Sequence, residues 1–489
     1  MWTKDSLEQA IKERMKDYLF IVVSNREPYI HEYSGKKIKC VKAVSGLVIA
    51  LDPVMQASRG MWIASGSGDA DRDVVDRHNK IQVPPEKPAY TLKRIWLTKE
   101  EENGYYYGYA NCGLWPLSHI SYEKPVFNAD DWEYYKKVNK RFAGSILEEI
   151  SRKKCFIWLQ DYHLTLAAKY IKDKEPDAVI SLFWHIPWPN PEVFRICPQK
   201  NEILEGLLAN DLLGFHIHYH CHNFLATIEN ELEAKVDWED LSVTYKGHKT
   251  LVRPFPISVD YAGISAQART PEVEQALANI PDTIDPPYEI MALGVDRVDY
   301  TKGIIERIKA IDRFLEKYPQ YQGKFIFLQF GALSRIHIKS YKQLIDNVQA
   351  LAEEINWKYG KGYWYPVVVK NVRLDYASHL ALYRAADLCL VSSLHDGMNL
   401  VAKEFIAAHA ERKGALILSQ FTGASREFSK EAILVNPYDP DGFADAMKYA
   451  IEMSAQEKKE RMEKMQQALE ENNIYRWAGK FISNLLKLE

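Results

Sequence analysis

The sequence predicts two doubly wound α/β domains, on three observations. Short apolar runs rich in β-branched residues recur in both halves, helical stretches fill the gaps between them, and a proline-rich stretch separates the halves. In the first half the runs are 19–25 (LFIVVSN), 156–160 (FIWLQ) and 179–184 (VISLFW), with a weaker one at 211–215. They are apolar throughout, as parallel strands covered on both faces must be. Residues 241–256 read instead as a hairpin about Lys246-Gly247-His248. The second half repeats the alternation at 288–295, 324–330 (KFIFLQF), 366–370, 387–392, 415–420 and 432–436, with amphipathic helices such as 304–318 and 340–357 between. Pro254, Pro256, Pro271, Pro281, Pro286 and Pro287 place the boundary near 253–285. The expected domains are 1–257 and 258–470, with 471–489 a helix packing back on the first. Residues 454–472 (SAQEKKERMEKMQQALEEN) read as a solvated surface helix. No internal sequence repeat is visible.

A chain of 489 residues is long enough for two cores, and 47% apolar with 26% charged residues is the balance of a globular protein. The 63 basic and 66 acidic residues leave a net charge of −3, so no global field favours nucleic acid or membrane. The segment MWTKDSLEQAIKERMKDY is charged and helical in pattern, unlike a secretory leader, and no apolar run is long enough to span a bilayer. The six cysteines (Cys40, Cys112, Cys155, Cys197, Cys221, Cys389) are scattered without a C-x-x-C pair. Neither a disulfide framework nor a zinc knuckle follows from them, and a cytoplasmic location is expected.

Ligands of open α/β sheets sit beyond the carboxyl ends of the strands, so two such domains would face each other across a cleft lined by strand-end residues. LGVDRVDYTKG places Arg297 and Lys302 around a turn, and Gly303 opens a helix. A planar guanidinium and a point-charge ammonium suit a diphosphate; ion pairing with Asp296, Asp299 or Glu306 suits the same residues equally. In VSSLHDGMNLVAKEF a strand runs into a loop holding Asp396 and Gly397, then a helix starting near Met398–Leu400. Glycine admits close backbone approach, and the helix-start amides of Met398, Asn399 and Leu400 can cradle a phosphate or a sugar hydroxyl. Glu404 lies one turn on, placed to accept ribose hydroxyls. The plainer alternative makes Asp396 an N-cap and Glu404 a helix-surface residue.

VSNR (23–26), DYHL (161–164), HIPWP (185–189), LLGF (212–215), DRVDYTKG (296–303), HDGMNLVAKEF (395–405), LSQFTGA (418–424) and NPYD (436–439) together resemble the motif series of the trehalose-6-phosphate synthases. Order and spacing agree from residue 19 to the C-terminus. The resemblance implies a GT-B fold, a nucleotide-glucose donor (UDP-, ADP- or GDP-glucose), a sugar-phosphate acceptor and transfer with retention. No cofactor and no metal are expected, and neither nucleic acid nor membrane as partner; a homo-oligomer stays open. Carried over by position, Arg297 and Lys302 bind the donor diphosphate and Glu404 the ribose. Asp396 and His185 contact the transferred glucose, with Gly46, Gly397 and the backbone of Met398, Asn399 and Leu400 completing the donor site. Arg26 and Arg335 bind the acceptor phosphate, with Tyr106, Trp115 and Asp161 around it. Core packing is the competing role for Trp115, flanked by Leu114 and Pro116.

Three positions depart from the family pattern: Ser45-Gly46-Leu47 stands for a glycine pair before leucine, Gln160 for a histidine before Asp161, and no second tryptophan follows Trp62. NREPY (25–29) and GFHI (214–217) are similar to the glucosylglycerol-phosphate synthases, whereas Arg335 argues for glucose 6-phosphate. Two further patterns bear on metals. Asp69-Ala70-Asp71 matches a metal-binding D-x-D, but a cation there would duplicate the work of Arg297 and Lys302. His216, His218, His220 and His222 would align for zinc only if extended; a helix pairs His216 with His220 and His218 with His222, and a polar cleft edge or surface histidines is the expectation. The leading expectation is an enzyme making trehalose 6-phosphate, with glycerol 3-phosphate or another phosphorylated polyol as alternative acceptor and a silent sugar-phosphate sensor as the alternative class.

Overall fold

The computed structural model describes residues 2–15, 18–43, 46–150, 154–280, 284, 286–333, 335–372 and 374–488. Ser45, one of the positions that depart from the family pattern, lies outside them. The chain forms two compact units, Met1–Ile257 with Ile474–Glu489, and Ser258–Asn473.

The first unit is built on a ten-stranded sheet. Its parallel body runs, in spatial order, Tyr90–Ile95, Met61–Ser65, Leu19–Arg26, Cys155–Gln160, Val179–Phe183, Leu212–Phe215 and His248–Pro254. Antiparallel strands finish both edges: Lys80–Val83 at one, Ser242–Tyr245 and Lys235–Asp237 at the other. The hairpin read from 241–256 is present, and its turn uses Lys246 (φ 50°) and Gly247 (φ 85°), the left-handed pair that matches strand twist. The apolar runs fill the sheet because they are covered on both faces; Phe156 to Leu159 are fully buried. The helix Ile474–Leu485 belongs to this unit, with Trp477 and Phe481 against Trp158 (ring centroids 4.9 and 4.2 Å).

The second unit carries a six-stranded parallel sheet in the order Val367–Lys370, Phe325–Ala332, Ile290–Arg297, Leu388–Val391, Ala415–Ser419, Ile433–Val435. All six strands expected in this half are present. In chain order the sheet reads 3-2-1-4-5-6, the dinucleotide-binding arrangement, and the parallel body of the first unit begins with the same 3-2-1-4-5-6. The two halves thus share topology without a visible sequence repeat. Each sheet has one switch point, between its first and fourth parallel strands, where ligands of this architecture bind.

Two expectations need correction. The helix Ala455–Glu471 is not a wholly solvated element, because Met462, Met465, Gln466 and Leu469 form a buried stripe and Gln466 Nε2 donates to the carbonyls of Ile406 and His409. The histidine series enters the helix His218–Glu231, which leaves His218 and His222 exposed; His216 and His220 are buried rather than at the surface. Among the described residues, no helix is long and apolar enough to cross a membrane.

Candidate active site

In the second unit, Arg297 ends the first strand and Ser392-Ser393 follow the fourth. These strands pair only at Ala292↔Leu388 and Leu293↔Cys389, so their carboxyl ends separate and the following loops meet at the switch point. Hydrogen bonds staple the loops: Leu394 N donates to Thr301 O (2.8 Å), and Ser392 Oγ to the carbonyls of Lys302 (3.0 Å) and Gly303 (2.8 Å). Gly303 is required there. Its φ is 61°, and a Cβ would lie 2.2 Å from Ser392 O.

This stapling brings Lys302 Nζ to 2.5 Å from Asp396 Oδ2, a pair with side chains 14% and 13% exposed. Asp396 Oδ2 also accepts from Ser393 Oγ (3.1 Å) and Asn399 Nδ2 (3.3 Å). The carboxylate is therefore not the N-cap. Asn399 is, with φ 92° and its Oδ1 accepting from Ala402 N, at the start of the helix Leu400–Ala408. Gly397 and Met398 are buried beside it, Met398 O accepting from Ala424 N. Lys302 forms an ion pair, but with Asp396 rather than Asp296, Asp299 or Glu306. Asp296 is taken by Arg307 (2.8 Å), whose fully buried guanidinium also donates to Gln329 Oε1 and Ser392 Oγ. Arg297 is exposed, and its charge is among those holding the buried Asp299 carboxyl low.

Glu404 is no helix-surface residue either: it is 8% exposed, and Tyr383 OH donates to its Oε2 (3.1 Å). Burial pushes its carboxyl up to about 7, with the Tyr383 bond pulling the other way. Arg335 lies in this unit, in left-handed backbone (φ 54°), against Asp299 (3.3 Å) and Tyr341 OH (2.5 Å).

In the first unit the switch point lies between Leu19–Arg26 and Cys155–Gln160. Arg26 stands just past an irregularity in strand register and donates to Tyr106 OH (2.9 Å), its guanidinium 5.1 Å from the ring centre. Tyr106 comes from a π-helical stretch, Asn103–Leu114, that runs into the short helix Trp115–His119. Gly104 and Gly108 let this stretch press on the helix Ala129–Ile150; a Cβ on either would lie 2.4 Å from Tyr134 or Asp131. Aromatic contacts continue from Tyr106 through His163 (5.6 Å) and Tyr162 (4.0 Å from His163) to Trp115 (5.9 Å from Tyr162). Trp115 is 5% exposed, so core packing and a place in this wall coincide.

Asp161, in the left-handed region at φ 72°, accepts on Oδ1 from Tyr162 N (3.0 Å) and His185 N (3.1 Å). The His185 ring packs against Phe183 and His216, its Nε2 bonds Gln160 Oε1 (2.8 Å), and its carbonyl bonds His216 Nε2 (3.0 Å). Burial, with a smaller push from the His163 charge, brings its pKa down to about 3, so the ring is neutral at any ordinary pH. Gln160, the departure from the family pattern, is thus a direct partner of this ring. Gly46 begins the helix Gly46–Ser58.

The D-x-D pair is structural. Asp69 Oδ1 accepts from Tyr33 N (2.9 Å), while the buried Asp71 accepts from the amides of His31, Ser67 and Gly68 and pairs with Arg94 (2.8 Å). Among the described residues, no group of three or more His, Cys, Asp or Glu is arranged to hold a metal ion.

The chain matches the model of glycosyltransferase family 20 over residues 18–487. It belongs to that family. It is 34% identical over 476 residues to the trehalose-6-phosphate synthase of Mycolicibacterium smegmatis, an alignment covering 95% of this chain and 92% of that protein. Among solved structures it is similar to the E. coli trehalose-6-phosphate protein bound with UDP-2-fluoro glucose, at 31% identity and TM-score 0.83, covering 96% and 98% of the two chains. It is also similar to the UDP-forming α,α-trehalose-phosphate synthase of Burkholderia xenovorans in complex with glucose-6-phosphate, at 29% identity and TM-score 0.84, covering 96% and 99%. As a family 20 member the chain is a glycosyltransferase with the GT-B fold.

Sequence reasoning missed Arg307, Ser393, Asn399 as the capping residue, Tyr162 and Tyr383. Only Asn399 carried a signal, an Asx residue immediately before an apolar helical run.

Proposed function

We propose that the chain transfers glucose from UDP-glucose to glucose 6-phosphate with retention, giving trehalose 6-phosphate and UDP. The observation that carries this reading is the Lys302–Asp396 pair at the switch point of the second unit, within a chain similar along nearly its whole length to trehalose-6-phosphate synthases. Lys302 and Arg297 take the donor diphosphate, Glu404 the ribose, and the helix-start amides beyond Asn399, with Gly46 and Gly397, the rest of the donor. Asp396 and neutral His185 accept from glucose hydroxyls. With Gln160 Oε1 accepting, His185 carries its proton on Nε2 and presents Nδ1 as an acceptor.

In the reaction the anomeric C–O bond to the diphosphate breaks as that to the acceptor hydroxyl forms on the same face, and the acceptor proton passes to the departing phosphate oxygen. The protein contributes position and positive charge where negative charge develops. Arg26, Tyr106, Trp115, Asp161 and Arg335 hold the acceptor. Similarity to a structure in complex with glucose-6-phosphate supports that acceptor over glycerol 3-phosphate. The six free cysteines fit a reducing, cytoplasmic setting.

The test is nucleoside diphosphate release from UDP-, ADP- and GDP-glucose against glucose 6-phosphate and glycerol 3-phosphate. Release is expected with UDP-glucose and glucose 6-phosphate. Turnover only with glycerol 3-phosphate would move the acceptor assignment to the polyol phosphates, and no release with any pair would leave a binding-only sensor.

A further inference from the structure

In the second unit one buried carboxylate, that of Asp299, holds Arg335 directly and holds the turn that carries Lys302. Asp299 Oδ1 accepts from Thr301 N (3.1 Å) and Thr301 Oγ1 (3.0 Å), fixing the tight turn Tyr300–Lys302 from which the Lys302 side chain departs. Asp299 Oδ2 accepts from Arg335 Nη1 (3.3 Å) and Tyr341 OH (3.2 Å), while Arg335 Nη1 also donates to Tyr341 OH (2.5 Å). The Arg335 and Asp299 side chains are 3% and 0% exposed. Burial would raise the Asp299 carboxyl, yet the charges of Arg335, Arg297 and Lys302 and the Thr301 amide hold it below the ordinary value, so it stays ionised. Arg335 sits in the left-handed region that a β-carbon disfavours, so its conformation is imposed by what surrounds it. Its guanidinium lies 5.4 Å from the Tyr341 ring centre, and the Tyr300 ring lies 5.3 Å from that of Tyr341.

We propose that Asp299 is the positioning residue for both Lys302 and Arg335, one carboxylate oxygen serving each, so that a single carboxylate sets both the donor-diphosphate and the acceptor-phosphate contacts. This rests on the assignment of those two cations to the substrate phosphates. Two effects oppose each other. A carboxylate near anion sites repels phosphate, and its removal by itself tightens binding; loss of its hydrogen bonds frees both cations and loosens binding. Four accepted bonds and three neutralising cations make positioning the larger effect.

The test uses the full chain with UDP, and with glucose 6-phosphate titrated into UDP-saturated protein, by calorimetry, with melting curves to establish folding. Asp299→Asn keeps an acceptor for Thr301 but turns an amide donor toward Arg335 Nη1. It is expected to weaken glucose 6-phosphate roughly tenfold or more and UDP a few-fold. Tyr341→Phe, which removes only the Oδ2-side hydroxyl, weakens glucose 6-phosphate and leaves UDP alone; Thr301→Val, on the Oδ1 side, does the reverse. The divided pattern is what a general loosening of the fold does not produce, and it decides the matter even if Asp299→Asn fails to fold. Unchanged or tighter binding by folded Asp299→Asn, or Tyr341→Phe and Thr301→Val each weakening both ligands, overturns the proposal. Wild-type protein that binds neither ligand removes the proposed function with it, whereas wild-type binding with indifferent variants removes this inference alone.

Discussion

The two switch points prepare their cations differently. In the second unit Lys302, Arg307 and Arg335 each already hold a carboxylate, Asp396, Asp296 and Asp299 respectively. In the first unit Arg26 is exposed and bonds a neutral phenol, and among the described residues it takes part in no ion pair; the neighbouring Glu27 belongs to Arg94. A phosphate arriving at Arg26 gains a complete charge-assisted contact, whereas one arriving at Lys302 must share or displace a carboxylate. The first arrangement favours affinity. The second favours fixed geometry, which suits charge that appears only as a bond breaks.

The largest test of this contrast is Lys302→Ala. On the proposed role of Lys302 it is expected to lower kcat/KM by roughly a thousandfold, about 4 kcal/mol, because leaving-group stabilisation would go and Asp396 would be left facing the diphosphate. The double variant Lys302→Ala with Asp396→Asn should recover part of the loss in a UDP-release assay. Losses that simply add would break the claim that the two act as a pair. Next in size, Arg26→Ala is expected to raise the acceptor KM by about thirtyfold to a hundredfold, roughly 2–3 kcal/mol, with a smaller change in kcat. A change confined to kcat would place Arg26 with the second-unit cations instead.

A smaller effect is pH-dependent. In the proposed role Glu404 accepts from ribose hydroxyls, which makes its ionised form the binding form, and burial has moved its carboxyl up to about 7. Donor kcat/KM should fall as pH drops below about 7 and level off above it, and Glu404→Gln should flatten that limb. The sign for stability is opposite. The folded value lies above the ordinary 4.5, so the ligand-free protein is favoured by this group below about 4.5 and loses that contribution as pH rises to about 7, visible as a declining Tm. The smallest expected effect is that of Asp69→Ala, a less than about twofold change in transfer, since Asp69 caps an exposed turn beside Tyr33. A large loss would return the D-x-D pair to the site.

Legibility in the sequence followed the same division. The second-unit motifs are contiguous strand–turn–helix stretches, so Arg297, Lys302, Asp396 and Glu404 could be placed beside their elements by reading along the chain. What escaped was three-dimensional. Arg307 owes its place to Asp296 and Gln329, from two strands, and to Ser392 just past a third, and Asn399 took the cap that local spacing gave to Asp396. In the first unit the strand Tyr90–Ile95 contains Lys93 and Arg94, whose charges hide a buried strand because their partners Glu148, Glu149, Glu27 and Asp71 lie far off in sequence. The hairpin Tyr29–Ser34 with Lys37–Lys42 was missed because its alternation is mostly polar, with one face on solvent.

The π-helical stretch Asn103–Leu114 bears on how this wall can change over time. Its i→i+5 register shows in the backbone amide of Trp115, which donates to Ala110 O, and the Asn111 side chain ties the stretch inward, Nδ2 donating to Tyr106 O at 2.7 Å and Oδ1 accepting from Tyr162 OH at 2.8 Å. Substitutions away from Gly104 and Gly108 need not alter that register, but loss of one residue would turn everything after it by one residue's rotation about the helix axis. Trp115 would then swing away from the side on which Tyr106 meets Arg26. Between residues 103 and 114, length is therefore under tighter constraint than side-chain identity, and a single-codon deletion there should be more damaging than most single replacements.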